Sequence, residues 1–411
     1  MVSTSSTWPA RVHRAEEALR RFGDLPPRLL PYLDQGDPLA DAAVEALAEL
    51  QRAERHALIE KALATIPAGE TPPPLPPPLA ELIAGACRVP PWVDWARIER
   101  AGAVFRRAGL LGGATLGLSS LVHGYAAPAG NKPLAFSGRL TERADRRLAE
   151  TGHFVTAVCA PGGTAPGAPG WQISLQVRLM HAQVRRLLLR DERWSNELWS
   201  LPINQHDMMA TVLLFSMVFV DGVRKLGLHV SEAEADDYQH LWRWVGTLLG
   251  VAPELLPATY GEAVRLGEFV HLTQGPPDAD SRALVRALLD GPRRRIGPPP
   301  PEANGDRRAL RRWRAARRLA EAHVAAATAL SRYLVGDELA DALGLERTHR
   351  RFPRGVRSVV QLLDGIRRTS PRLERAAERL GERYWDFSVA QGLGGLPATY
   401  GLPERLSRSV P

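Results

Sequence analysis

Hydrophobic positions recur at helical spacing along almost the whole chain. From about residue 10 to 66, amphipathic stretches rich in Ala, Leu, Arg and Glu are interrupted by Pro26, Pro27, Pro31 and Pro38. Helical patterns then run to about residue 290, broken by a Gly/Pro/Ala loop from Pro161 to Gly170. Very few windows alternate in the way a half-buried strand requires. The pattern predicts an all-α chain. Its longest apolar run, Met208 to Val220, has 13 residues and includes Thr211 and Ser216. That is too short to cross a bilayer and predicts a buried core helix.

One helix stands apart. Ser174 to Arg190 reads SLQVRLMHAQVRRLLLR, with Val177, His181, Val184 and Leu188 on one helical stripe. The stripe predicts that His181 faces inward, while Arg178, Arg185 and Arg186 point away. A buried imidazole needs a partner, either a hydrogen bond or a metal. Upstream, RRLAETGHFV places Arg147, Glu150 and Thr151 at i, i+3 and i+4, so the three share a helix face.

These segments resemble the latex clearing protein family, haem b rubber oxygenases, and its wider isoprenoid-oxidising relatives. Members carry an Arg and a Thr four residues apart, then a His thirty residues after the Thr. Here those positions read Arg147, Thr151 and His181. GDPLADA (36–42), VPPWVDWARI (89–98), GGATLGLSSLVHGYA (112–126), LPINQHDMMATVLLFSMVFVDGVRKLGL (201–228) and HLWRWVGTLLGV (240–251) are also similar to the family, so the likeness covers roughly 30 to 275. It implies a globin-like helical core that holds haem b, with His181 as proximal iron ligand. It implies that Arg147 orients a propionate or reduced oxygen, that Thr151 hydrogen-bonds a distal ligand, and that His123 lines the pocket or meets a propionate. Met180, Val184, Leu213, Phe215 and Phe219 would form an apolar lining. The implied reaction uses O2 to cleave a C=C bond of polyisoprene or a smaller isoprenoid into carbonyl products.

Two positions depart from that pattern. Some members have a lysine just before the Thr, able to take the sixth iron position; Glu150 stands there here, so a lysine-capped state is not expected. The family's catalytic glutamate lies upstream of the Arg, but PAGNKPLAFSGRL (128–140) supplies no acid before Glu142. Glu150 is therefore the candidate base, with its pKa raised by a dry pocket. Two other function classes stand beside the oxygenase: a non-catalytic haem-binding oxygen sensor or carrier, and a haem-free isoprenoid-binding helical protein.

Composition adds boundaries. The 411 residues divide into an N-terminal helical region (1–70), a Pro-rich connector (71–80), the oxygenase core (81–290), an Arg/Pro-rich loop (291–306) and a C-terminal helical region (307–411). Two cysteines, Cys87 and Cys159, exclude a disulfide framework, and no Cys/His spacing marks structural zinc. Cys159 reads as a small apolar filler. The N-terminal stretch has no apolar signal region, so the chain as written is expected in the cytoplasm, or outside the cell if a leader precedes it. Gly291 to Arg318 carries ten arginines against Glu302 and Asp306, a net +8 that equals the charge of the whole chain. Contact with an anionic membrane is one reading of that tract and a solvated helix face is the plainer one; without interleaved aromatics, nucleic acid is not expected. LPATYG occurs at 256–261 and again at 396–401, and both copies suit a helix start.

Overall fold

The computed structural model describes residues 8–136, 144–299 and 306–406. Among them every regular element is helical, and the expected all-α class holds. Twelve of these helices frame the core and the candidate site: α1 (Pro38–Ala46), α2 (Trp95–Thr115), α3 (Leu121–Ala126), α4 (Ala144–Cys159), α5 (Pro169–Leu189), α6 (Gln205–Phe215), α7 (Met217–Lys225), α8 (Glu232–Leu248), α9 (Tyr260–Thr273), α10 (Arg307–Val335), α11 (Phe352–Arg367) and α12 (Pro371–Leu393).

Local chemistry sets many of the boundaries. Asp37 caps α1 by accepting from Ala40 N at 3.2 Å. Ser231 and Glu234 form a reciprocal capping box at α8, with Ser231 N donating to Glu234 Oε2 at 2.8 Å. Asn204 caps α6 by accepting from Asp207 N at 2.8 Å. Between α2 and α3 the helix passes through a π-helical turn, Leu116–Ser120, a distortion found often at functional sites.

The core is aromatic at its centre, where Trp171, Trp242, Trp244, Tyr238, Phe105 and Phe219 are fully buried. It extends from Ala18 to Leu402, so the N-terminal, central and C-terminal stretches share it. The α6–α7 segment is long and apolar enough to cross a membrane, yet it is bent at Ser216 (φ −98°, ψ −84°) and buries Met209, Val212, Phe219 and Val220 in this core. α12 lies close against α2: a Cβ on Gly381 would stand 1.7 Å from the Arg106 carbonyl, so only glycine permits the approach.

Two sequence boundaries move. The connector expected over 71–80 ends at Pro76, because Pro77 opens a helix, Pro77–Cys87, where a missing N–H does no harm. The loop expected over 291–306 begins as a helix, Gly291–Ile296, held by Arg293 to Glu321 (2.8 and 2.6 Å) and to Asp290 (2.7 Å).

Candidate functional site

α5 divides its surface between two environments. Trp171, Leu175, Leu179 and Ala182 enter the core, while Val177, Met180, His181 and Val184 are half-buried along a neighbouring face. His181 Nδ1 is nevertheless buried and has no hydrogen-bond partner. Burial pushes the imidazole down to about 4, reinforced by the positive charges of Arg185 and Arg147 and opposed by Asp37. The ring is therefore neutral near pH 7 and keeps a lone pair for a metal.

The stripe predicts that Arg178 and Arg185 point away, and they do not. They sit at i−3 and i+4 from His181, positions that share its face. α1 makes this tolerable. Asp37 takes Arg178 in a two-point ion pair, at 2.6 Å to Nε and 2.9 Å to Nη2. Asp41 lies 3.6 Å from Arg185 Nε; Arg185 is buried and Asp41 partly exposed, and burial lowers the Arg185 pKa and raises that of Asp41. Two Arg–Asp pairs thus bracket His181 and fix the rotation of α5. The sequence held this signal in GDPLADA, where the carboxylates are four apart, but nothing local says which helix they meet.

Arg147 and Thr151 stand half-buried one turn apart on α4. The charge of Arg147 reaches His181 on α5 and also lowers the pKa of Tyr125 on α3, against a rise from burial. Its positive charge is thus felt by groups on both of those helices. Sequence spacing pairs Arg147, Thr151 and His181, and the structure places α4 against α5.

Glu150 is turned elsewhere. Its Oε1 accepts from Arg146 Nε at 3.0 Å and from Thr399 Oγ1 at 3.1 Å. Its carbonyl accepts from the Tyr400 hydroxyl at 2.9 Å. The C-terminal LPATYG copy is thus a strap over α4, not the helix start expected of it. Glu142 lies outside the described residues.

His123, on α3, is grouped with other residues. Its Nδ1 meets the Ser119 carbonyl at 2.9 Å, and burial pushes its pKa down to about 4. It lines a cavity of about 670 Å³, together with His206, Leu213, Met217, Lys225 and His271. His181, Arg147 and Thr151 do not line that cavity. In its wall, both ring nitrogens of His206 are buried without hydrogen bonds. Burial works to raise the pKa of the adjacent Asp207, but Arg11, paired with it at 2.7 and 2.8 Å, holds it well below the usual carboxylate range.

The expected apolar lining divides accordingly. Met180 and Val184 share the His181 face. Leu213 belongs to the 670 Å³ cavity. Phe215 stacks on Trp242 at 5.0 Å, and Phe219 is core, stacked on Tyr238 at 4.9 Å. Cys159 is buried, and burial pushes its thiol well up, as expected for a filler. His240 is structural, accepting from Asp94 N at 3.0 Å.

Three comparisons bear on this arrangement. The chain is 29% identical over 191 residues to a rubber oxygenase of Streptomyces sp. (strain K30), a stretch covering 46% of this chain and 47% of that protein. The match therefore spans about half the length of that curated relative. The fold is similar to the structure of latex clearing protein LCP in the closed state, with a TM-score of 0.62 and 23% identity, covering 86% of this chain and 91% of that one. The family described as ER-bound oxygenase mpaB/B'/Rubber oxygenase, catalytic domain, matches residues 99–364, which include Arg147, Thr151 and His181. The chain belongs to that family.

Proposed function

We propose that this chain is a haem b-dependent oxygenase that uses O2 to cleave a C=C bond of an isoprenoid chain into carbonyl products. The observation that carries the reading is His181: a neutral imidazole with a buried, unpartnered Nδ1, bracketed by two Arg–Asp pairs and within the electrostatic reach of Arg147. Among the described residues no three His, Cys, Asp or Glu cluster to hold a bare metal ion. A single imidazole would suffice for a metal that brings its other ligands with it, as haem does. Haem iron, when bound, supplies the activation of O2.

The chain's own residues supply position and polarity. His181 holds the group from one side. Arg147 offers charged donors to a propionate or to reduced oxygen. Thr151, one turn on, offers a hydroxyl to the same space. Val177, Met180 and Val184 give the apolar surface that an unsaturated hydrocarbon requires. Glu150 is tied to Arg146 and Thr399, so it serves as a base only after leaving both; as folded, it positions α4.

The test is the visible spectrum of the purified chain beside His181→Ala. A Soret band present in the wild type and lost in the variant supports the reading. A colourless wild type after haem is added, or a variant with full haem, rejects it. Arg147→Ala is expected to keep the fold and haem while losing most turnover of an isoprenoid alkene. Ligand binding by the wild type without product from any alkene would instead make the chain a haem carrier.

A further inference from the structure

α11 combines a basic charge with an exposed apolar arc. By exposure, Pro353, Arg357, Val360, Asp364 and Arg367 form its inner side. Phe352, Val359, Leu362, Leu363 and Ile366 are 43–66% exposed. At 100° per residue these five fall within roughly a third of the helix circumference, along about 21 Å of its axis. They are five of the fifteen large hydrophobic side chains exposed among the described residues. The segment 350–368 carries Arg350, Arg351, Arg354, Arg357, Arg367 and Arg368 against Asp364 alone, a net charge of +5. Arg367 is committed to Asp364 and Glu374, and Arg357 donates to the Lys225 carbonyl at 3.0 Å. Arg350, Arg351, Arg354 and Arg368 are exposed, and among the described residues none of them makes an ion pair.

We propose that α11 docks the protein on an anionic lipid surface, with Phe352, Val359, Leu362, Leu363 and Ile366 entering the headgroup–acyl boundary and the free arginines meeting lipid phosphates. A continuous exposed apolar arc on a basic amphipathic helix is the composition of an interfacial helix. Charge selects this occupant over a second copy of the chain. A self-contact would bring two segments of +5 together, whereas an anionic bilayer neutralises one. The tract at 291–318 is a poorer docking face, because Arg293 and Arg317 are already shared by Glu321. Position adds a consequence. Arg357 binds the carbonyl of Lys225, and Lys225 lines the 670 Å³ cavity, so a docked α11 brings that cavity close to the lipid.

The test uses the full chain and vesicle co-sedimentation. The vesicles are phosphatidylcholine alone, or phosphatidylcholine doped with phosphatidylglycerol. The wild type is expected to sediment with the doped vesicles, weakly with the neutral ones, and less as salt rises. Leu362→Glu/Leu363→Glu lies wholly on the exposed arc, so its helical circular dichroism and melting should match the wild type, while its binding falls by about tenfold or more. Equal sedimentation of both proteins overturns the proposal, as does no binding by the wild type. Light scattering that finds a wild-type dimer broken by the same substitutions, without vesicle binding, also overturns it and assigns the face to a second copy.

Discussion

The same six residues, LPATYG, occur twice and build two different things. In the first copy Thr259 caps α9, accepting from Glu262 N at 3.2 Å, while Glu262 accepts from Ala258 N at 2.7 Å. Tyr260 begins the helix, with its hydroxyl on Asp221 and its N–H on Asp236 Oδ1 at 2.8 Å. In the second copy no helix follows among the described residues. Thr399 and Tyr400 instead reach sideways to Glu150 and His153 on α4, the helix of Arg147 and Thr151. The difference lies in the next residues. Glu262 completes the first cap, but its counterpart is Leu402, which is buried in the core, followed by Pro403. A residue before proline disfavours the helical region, so the second copy stays extended. A capping residue offers a helix start, and the residues after it decide whether it is taken.

The contrast can be broken most forcefully at the strap. Tyr400→Ala removes a half-buried ring and the hydroxyl that meets both the Glu150 carbonyl and His153 Nδ1. It is expected to destabilise the chain by about 2–3 kcal/mol in urea unfolding, somewhat less than truncation of a fully buried aromatic. It is also expected to lower turnover, because α4 carries Arg147. Normal turnover at reduced stability would make the strap a stabiliser only. Tyr260→Phe, in the first copy, deletes one hydroxyl and leaves the Asp221 carboxylate short of a donor. About 1–1.5 kcal/mol is expected, with no change in turnover. Thr259→Ala removes the α9 cap for about 1 kcal/mol. If Thr399→Ala costs as much as Thr259→Ala, the two copies are not as different in role as their geometry implies.

The same division between local and distant information runs through the molecule. The helical class, the Arg147 and Thr151 spacing and the first LPATYG cap were legible because each depends on residues a few positions apart, while the link from Thr151 to His181, thirty residues on, was legible only through the family resemblance. His181 as an inward-facing imidazole was legible from the stripe, but the two arginines beside it were misplaced. Apolar periodicity treats charge as outward, and only Asp37 and Asp41 on α1, more than 130 residues away, reverse that rule. Glu150 illustrates the same limit: spacing groups it with Arg147 and Thr151, while the strap that holds it on Thr399 could not be read. The exposed apolar arc of α11 was not read from the sequence, because periodicity alone does not say that an apolar side is left uncovered.

The finest distinction between the copies is in pH. Tyr400 donates its one proton to the Glu150 carbonyl, so it accepts from His153 Nδ1. Burial lowers the His153 pKa, whereas an unfolded histidine titrates near ~6.5. The unfolded chain therefore takes up the proton first as pH falls, and the contribution of a neutral His153 is present above about pH 6.5 and lost as pH drops through the lower folded value. His153→Asn keeps an N–H for Tyr400 and removes the titration. The first copy has no histidine among its partners and serves as the control. Unfolding of both proteins at neutral and mildly acidic pH should show a smaller acid-induced loss in the variant. The gap is expected to be under about 1 kcal/mol, because the ring is only half-buried and solvent screens its charge. The common pH dependence from His181 and His123 cancels in the difference. Identical acid losses in wild type and variant would show that His153 titrates alike in both states, and that the strap, like the cap, works by shape and hydrogen bonds alone.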